Sequence, residues 1–203
     1  MNDSEILARR RDVFHARNDR YARAGFDRIA AAEFVIEAGG ELSGPALDIG
    51  TGKGLAARAL ARRGLNVVSV DVDAEEQALA RFLAEEEGLA ERIRFVRGDA
   101  SELPFPRSHF GCAVMVGVLH HLEDPIPSLD EMARVLRPSG TAVLADFSRD
   151  GLEIVARVHR EDGRDHPVTG VTPDAAAEFL TAKGFAVKAR QSGHHHDVIV
   201  LTK

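Results

Sequence analysis

The sequence predicts an α/β fold with a doubly wound, mostly parallel sheet, an antiparallel last strand and an N-terminal helical cap. Apolar segments alternate with helix-forming segments from residue 45 onward, a pattern typical of a parallel sheet covered by helices on both faces. Three glycines at alternate positions follow the first strand. The last two apolar segments are joined by the short stretch Gln191 to Asp197, which favours an antiparallel pair because parallel strands need a longer crossover.

The composition of the chain restricts its classes of function. With 203 residues it is long enough to bury a substantial core. The formal net charge of -6 and the sequence pI of about 5.8 provide no basic field for a phosphate backbone, so a nucleic-acid partner is not expected. Cys112 is the single cysteine, which excludes an internal disulfide. No membrane span and no apolar leader core are recognisable, so a cytoplasmic protein is expected.

The N-terminal segment, residues 1–40, is predicted as the helical cap, and residues 41–203 as the sheet domain. Residues 5–38 favour helix, with an interruption at Gly25 and a stop at Gly39-Gly40. Two interpretations of the charged stretch Arg9 to Arg23 stay open, a solvated helix and a mobile lid over a ligand site.

Seven strands are predicted along the sheet domain, and glycine and proline positions mark the helix ends between them. Gly64, Gly88 and Gly184 favour helix C-termini, and Thr172-Pro173 favours a helix N-terminus. One helix is expected to end at Pro138-Ser139-Gly140. The predicted strands are Ala46 to Ile49, Asn66 to Val70, Ile93 to Arg97, Phe110 to Gly117, Thr141 to Phe147, Phe185 to Arg190 and Val198 to Thr202.

The glycine turn after the first strand reads Asp48-x-Gly50-x-Gly52-x-Gly54. Glycine tolerates positive φ and lets a ligand lie against the backbone, so the turn indicates a small-molecule site. A dinucleotide fingerprint is excluded because Leu55 stands where its third glycine belongs, and a P-loop is excluded because Gly54 follows Lys53. The alternative interpretation is a tight turn without a ligand.

Two acidic residues follow the next strands. Asp71 closes the second strand, where a carboxylate can accept hydrogen bonds from both hydroxyls of a ribose; the alternative is a helix N-cap. Asp99, in Gly98-Asp99-Ala100, follows the third strand, and its alternative is an ordinary turn.

These motifs together resemble those of class I S-adenosylmethionine (SAM)-dependent methyltransferases. The resemblance covers about residues 45 to 147. It includes Leu103-Pro104-Phe105, the apolar strand that ends in Leu119-His120-His121 and an acid-proline pair, and the stretch Glu131 to Gly140. Gly111 departs from the family pattern, which usually has aspartate there. The resemblance implies a Rossmann-like domain that binds SAM.

The resemblance also implies roles for individual residues. The turn from Gly50 to Gly54 would receive the methionine part of SAM, and the Val116 backbone would lie near its amino group. The Asp99 carboxylate and the Ala100 N–H would contact adenine. The implied cofactor-binding residues are Asp48, Gly50, Thr51, Gly52, Gly54, Asp71, Val72, Asp99, Ala100 and Val116.

A catalytic role is predicted for His121, because the end of the fourth strand points at the methyl group in this family. His120 is expected to have a packing role rather than a catalytic one, and Cys112 is expected to lie in the hydrophobic core. Methyl transfer depends chiefly on holding the acceptor close and aligned, and a base is required only if the acceptor arrives protonated. The alternative for both histidines is a helix-entry pair satisfied by backbone.

The sequence thus predicts a SAM-dependent methyltransferase that acts on a small molecule. The alternatives are a protein or RNA methyltransferase, and a SAM-binding regulatory or partner protein without catalysis. The insertion 148–171 is where the family usually places substrate contacts, and it matches no substrate-defining motif. The sequence specifies neither the acceptor nor an oligomeric state.

A metal site is a further hypothesis, because seven of the nine histidines are expected at the ligand-binding edge of the sheet. On an extended segment His194 and His196 would share one face. Together with His159 and His166, they provide ligands suited to zinc or another first-row divalent ion. The alternative is a polar, solvated loop.

Overall fold

The computed structural model describes residues 3–163, 168 and 170–203. The helices in this part of the chain are α1 Asp3–Arg23, α2 Arg28–Ala38, α3 Leu55–Arg62, α4 Ala74–Glu86, α5 Ile126–Val135, α6 Arg149–Glu161 and α7 Pro173–Ala182. Short 3-10 helices span Ala90–Arg92 and Leu119–His121. The strands are β1 Ala46–Ile49, β2 Val67–Asp71, β3 Ile93–Arg97, β4 Phe110–Val116, β5 Leu136–Phe147, β6 Ala186–Gly193 and β7 His196–Thr202.

The strands form one sheet in the order β3-β2-β1-β4-β5-β7-β6. Strands β1 to β5 are mutually parallel, and β7 runs antiparallel to both β5 and β6. The predicted doubly wound, mostly parallel sheet with an antiparallel last strand is confirmed. The carboxyl ends of β1, β2, β3, β4 and β5 therefore meet at one edge, where ligands bind in open α/β sheets.

Helices cover both faces of the sheet. Alternate residues of β4 enter opposite cores: Cys112 and Val114 pack with α2 and α3, whereas Ala113 and Met115 pack with α5 and α7. Cys112 has no exposed surface, so its predicted place in the core is confirmed. Helix α6 lies apart from these two layers, where Val155 and Val158 pack against the cap.

Three predicted strand boundaries are wrong for long-range reasons. Strand β5 begins at Leu136 rather than Thr141, because Leu136 pairs with Phe110 before the register shifts. The helix predicted to end at Pro138-Ser139-Gly140 ends at Val135 instead, and these three residues lie within β5, with Ser139 at a φ of 62°. The expected seven-residue connection between β6 and β7 is a two-residue turn, because both strands extend further than the sequence indicates.

Gly111, which departs from the family pattern, is required by packing. Its backbone N–H donates to the Pro45 carbonyl at 3.0 Å. A Cβ atom at this position would lie 2.5 Å from both the carbonyl oxygen and the Oγ of Ser43. Any side chain would therefore displace the segment that leads into β1.

The helical cap consists of α1 and α2: α2 packs in the layer on one face of the sheet, and ion pairs attach α1 to α4 and to the end of α6. Arg11 Nη1 lies 2.7 Å from Glu86 Oε1 of α4, and Arg17 Nε lies 2.9 Å from Asp162 Oδ2 at the end of α6. The predicted interruption between the helices falls at Gly25, with a φ of 88°, and Asp27 caps α2 through the N–H groups of Ile29 and Ala30. The cap thus bridges α4 and α6.

Candidate active site

The turn after β1 holds three glycines with positive φ, as predicted: 84° at Gly50, 47° at Gly52 and 72° at Gly54. A Cβ at Gly50 would lie 2.3 Å from Val118 Cγ2, and one at Gly54 would lie 2.9 Å from the Ala80 Cβ. A Cβ at Gly52 would meet no atom within 4 Å. Gly50 and Gly54 are therefore needed for packing, whereas Gly52 leaves open space beside the backbone, where a ligand can lie.

A buried polar network supports this turn from below. Ser69 Oγ donates to Asp48 Oδ2 at 2.7 Å and lies 2.7 Å from Thr51 Oγ1, which Gln77 Nε2 approaches to 3.4 Å. Asp48 is 1% exposed, so it lies beneath the turn. Burial raises the pKa of the Asp48 carboxyl to about 7, opposed by the Ser69 hydrogen bond and reinforced by the charge of Asp71.

A cavity of about 150 Å³ opens above the turn. It lies between the carboxyl ends of β1 and β4, and residues of the cap, β5 and β7 close it. Among the described residues, the charged side chains on its wall are Arg28 and Lys53, with no carboxylate. The lining residues are Phe26, Arg28, Ala32, Gly50, Thr51, Gly52, Lys53, Leu55, Ala56, Val116, Gly117, Phe147 and His196.

Asp71 and Val72 lie outside this cavity, at the adjoining end of β2. Asp71 Oδ2 accepts from the Gly52 N–H at 2.8 Å, and its Oδ1 accepts from the Asp73 N–H at 3.0 Å. The Val72 side chain is 58% exposed at the carboxyl edge of the sheet. The turn and the end of β2 therefore form one continuous surface.

Asp99 and Ala100 lie beside this surface, because the Gly98 N–H donates to the Asp71 carbonyl at 3.0 Å. The Asp99 Oδ1 atom accepts from the hydroxyl and the N–H of Ser101, which lowers the pKa of its carboxyl. Ala100 packs partly against the sheet core. The predicted cofactor residues thus fall into three groups. Those on the cavity wall are Gly50, Thr51, Gly52 and Val116. Those on the open edge are Asp71, Val72, Asp99 and Ala100, while Asp48 and Gly54 support the turn by packing.

The two histidines after β4 have different environments. His120 is 4% exposed, and Asp146 accepts from its backbone N–H at 3.0 Å and lies 2.6 Å from its Nδ1. This agrees with the prediction that His120 packs. His121 is exposed, with its ring centroid 3.9 Å from that of His120. Burial, and then the charge of His120, lower the pKa of His121, while Asp146 opposes the shift.

The predicted pairing of His194 with His196 on an extended segment is wrong. His194 and His195 form the turn between β6 and β7, with φ values of 47° and 62°. His195 Nε2 lies 3.0 Å from the Gly25 carbonyl oxygen, and His196 Nδ1 lies 3.1 Å from the His194 carbonyl oxygen. His196 faces the cavity and is 5% exposed, and burial lowers its pKa.

The remaining metal-ligand predictions concern His159, in the last turn of α6, and His166, which lies outside the described residues. Among the residues that the structure describes, no group of three or more His, Cys, Asp or Glu side chains is arranged to hold a metal ion. The divalent metal stays a prediction.

Several residues on the cavity wall were not identified from the sequence. Phe26, Arg28 and Phe147 come from distant segments and belong to no motif, apart from the place of Phe26 in the apolar stripe of the cap. His196, predicted at this edge as a metal ligand, does lie on the cavity wall. Lys53 occupies a variable position of the glycine turn, which could have drawn attention to it. Asp146, which holds His120, is an acid at the carboxyl end of β5, a position that by itself indicates a site residue.

Comparison with known proteins agrees with this geometry. A methyltransferase domain model matches residues 47–144. The chain is 33% identical over 131 residues to a demethylmenaquinone methyltransferase of Clavibacter sepedonicus, covering 64% of this chain and 51% of the relative. It is 33% identical over 130 residues to the ubiquinone/menaquinone biosynthesis C-methyltransferase UbiE of Pseudomonas putida, covering 62% and 51%. The match thus spans about half the length of these curated relatives.

Solved structures share the fold over most of the chain. A SAM-dependent methyltransferase from Aquifex aeolicus superposes with a TM-score of 0.66 at 22% identity, covering 87% of this chain and 89% of that one. The [4+2]-cyclase SpnF superposes with a TM-score of 0.68 at 20% identity, covering 86% and 80%. The fold and the glycine-turn site define a Rossmann-like methyltransferase domain. Residues 47–144 form a class I SAM-dependent methyltransferase domain, of a family whose cofactor is SAM.

Proposed function

We propose that this protein transfers the methyl group of SAM to a small-molecule acceptor. The observation that carries the proposal is the cavity above the glycine turn, which continues onto the open edge at Asp71 and Val72. A fold shared with a [4+2]-cyclase does not specify a reaction, so the proposal depends on the site.

The residues of the site fit SAM part by part. Gly52 and Gly117 face the cavity, and a Cβ at Gly52 would fill the space that a methionine chain needs. Each Asp71 oxygen accepts one backbone hydrogen bond and keeps a lone pair for a ribose hydroxyl. The exposed Val72 side chain offers an apolar surface on which an adenine ring can pack.

When bound, SAM supplies an electrophilic methyl group on a sulfonium, and the protein must orient the acceptor and exclude water. The cap residues Phe26 and Ala32 close the cavity on one side, and Phe147 closes it on another. His121, held beside the Asp146–His120 pair, would accept the proton of an acceptor that arrives protonated. Its lowered pKa keeps it unprotonated at neutral pH, as a base requires.

The names of the curated relatives suggest a first acceptor to test. One relative is a demethylmenaquinone methyltransferase, and the other is a ubiquinone/menaquinone biosynthesis C-methyltransferase. We infer that a reduced quinone precursor of this type is the first acceptor to test.

The described residues include no helix that is long and apolar enough to cross a membrane.

The experiment combines binding with transfer. Calorimetry should detect binding of SAM and of S-adenosylhomocysteine, with none of NAD or ATP. Protein supplied with methyl-labelled SAM should then label reduced demethylmenaquinone, or a small molecule in a cell extract that mass spectrometry can identify. Label in protein or RNA would instead favour a macromolecular acceptor. Binding without any transfer would favour a regulatory protein, and no binding of SAM would overturn the proposal.

A further inference from the structure

Arg28, the first residue of α2, is a partly buried cation whose partners in the described structure are neutral. Its Nη1 donates to Asn18 Oδ1 at 3.2 Å, and its Cζ lies 5.0 Å from the centre of the Tyr21 ring. Within the described residues, no carboxylate forms an ion pair with Arg28, and its Nε and Nη2 atoms make no hydrogen bond. One side of the guanidinium fork is therefore available.

The other arginines of the cap that approach neighbouring helices are paired with acids. Arg10 pairs with Glu75 and Glu76, Arg11 with Asp12 and Glu86, and Arg17 and Arg20 with Asp162. These pairs attach the cap to α4 and α6. Arg28 differs from them because it lines the cavity and contacts neutral side chains of α1, Asn18 and Tyr21.

The cavity gives Arg28 no acidic neighbour. Lys53, the second cation on its wall, is already paired with Glu76. Burial lowers the pKa of Arg28, but a guanidinium stays charged in proteins. A buried charge destabilises the folded state unless it is paired, so an anionic group on a ligand would compensate it.

We propose that Arg28 is a carboxylate-binding residue through which the helical cap closes on a bound ligand. A guanidinium pairs with a carboxylate through two parallel N–H···O bonds, and the Nε and Nη2 atoms of Arg28 provide such a pair of donors. This inference rests on the proposed function. The carboxylate belongs either to the methionine part of SAM or to the acceptor, and the same chemistry serves both.

The test compares S-adenosylhomocysteine with its decarboxylated analogue by calorimetry, on the unaltered protein and on Arg28→Met. If the carboxylate belongs to the cofactor, the unaltered protein should prefer S-adenosylhomocysteine by about tenfold to a hundredfold, and Arg28→Met should lose the preference. If it belongs to the acceptor, both proteins should bind S-adenosylhomocysteine equally. Benzoate should then bind the unaltered complex and not the Arg28→Met complex.

Two further variants separate this role from charge and folding. Arg23→Met removes a positive charge from an exposed position of the same cap, so ligand preference should be unchanged. Arg28→Lys keeps the positive charge but loses the paired N–H donors of the guanidinium. It should keep part of the preference for S-adenosylhomocysteine over its decarboxylated analogue. Thermal unfolding checks that each variant folds.

The inference is overturned if Arg28→Met folds yet leaves both the preference for S-adenosylhomocysteine and the binding of benzoate unchanged. Failure of the unaltered protein to bind S-adenosylhomocysteine at all would instead overturn the proposed function, and this inference with it. The two failures are thus distinguishable in one set of titrations.

Discussion

The Oδ2 atom of Asp71 accepts a hydrogen bond from the backbone N–H of Gly52 at 2.8 Å. This bond joins the end of β2 to the one glycine of the turn that opens onto free space. Asp71 therefore has two functions in the proposed site. It fixes the position of the glycine turn, and we propose that its remaining lone pairs accept hydrogen bonds from the ribose of SAM.

Asp71→Ala should weaken binding of S-adenosylhomocysteine by at least about tenfold, because hydrogen bonds to charged groups contribute roughly 1.5 to 3 kcal/mol each. Calorimetry measures this change. The matched control is Asp73→Ala, which removes a charge two residues away. Asp73 caps α4 through the N–H groups of Glu75 and Glu76, so its loss should cost about 1 kcal/mol of stability without affecting affinity. Equal effects of the two substitutions on affinity would contradict the assignment of Asp71.

Gly52→Ala tests whether the open space beside the turn is a ligand site. Gly52 and Gly64 both have positive φ, and a Cβ at either position meets no atom within 4 Å. Alanine at either should therefore lower the free energy of unfolding by about 1 to 2 kcal/mol. Gly52→Ala alone places a methyl group in the cavity, so it should weaken binding of S-adenosylhomocysteine by more than about tenfold.

Urea denaturation measures the free energy of unfolding of Gly52→Ala and Gly64→Ala, and calorimetry measures their affinity for S-adenosylhomocysteine. If Gly64→Ala reduced affinity as much as Gly52→Ala, the loss would reflect general destabilisation of the fold. The cavity would then not be the cofactor site.

The features that could be predicted from the sequence are those determined by neighbours along the chain. Strand β1 has the predicted limits, Ala46–Ile49, because an apolar run ends there at a glycine turn. Gly64 and Gly88 have positive φ, as expected for residues that end helices. Asp71 and Asp99 lie at the edge where parallel strands end, as the order of motifs requires.

The features that could not be predicted depend on contacts between distant segments. Strand β5 starts early because Leu136 pairs with Phe110. His194 and His195 adopt positive φ, but neither is the asparagine or glycine that signals a two-residue hairpin turn. Phe147 reaches the cavity wall beside His196 through the antiparallel pairing of β5 with β7, which no local pattern specifies.

His121→Asn should lower kcat by about a hundredfold to ten-thousandfold if His121 accepts the acceptor's proton. Affinity for S-adenosylhomocysteine should not change, because His121 does not line the cavity. The pKa of His121 is lowered from its usual value of 6.5, mainly by burial. Activity of the unaltered enzyme should therefore be constant at neutral pH and fall only below that value. The fall should be absent from the residual activity of His121→Asn.

pH–rate profiles of both proteins measure this, with His109→Asn, at the opposite end of β4, as a control. Parallel loss of affinity and kcat in His121→Asn would show that the residue is structural.

Burial raises the pKa of the Asp48 carboxyl to about 7 in the folded protein. We therefore expect the free energy of unfolding to depend on pH. In the unfolded chain the carboxyl has a pKa of about 3.9, so between these values the native state holds a proton that the unfolded state has released. Stability from this group is therefore fully present below about pH 4. It is lost progressively as the pH rises to about 7.

Asp48→Asn removes this titration but keeps an oxygen that can accept from Ser69. The free energy of unfolding of the unaltered protein, relative to Asp48→Asn, should fall by about 3 kcal/mol between about pH 5 and pH 8, at about 1.4 kcal/mol for each pH unit below the folded pKa. Urea denaturation of both proteins across this range measures the difference, and titrating groups common to both cancel. A constant difference would mean that Asp48 is ionised in the native state. Its negative charge, rather than its protonated form, would then support the glycine turn.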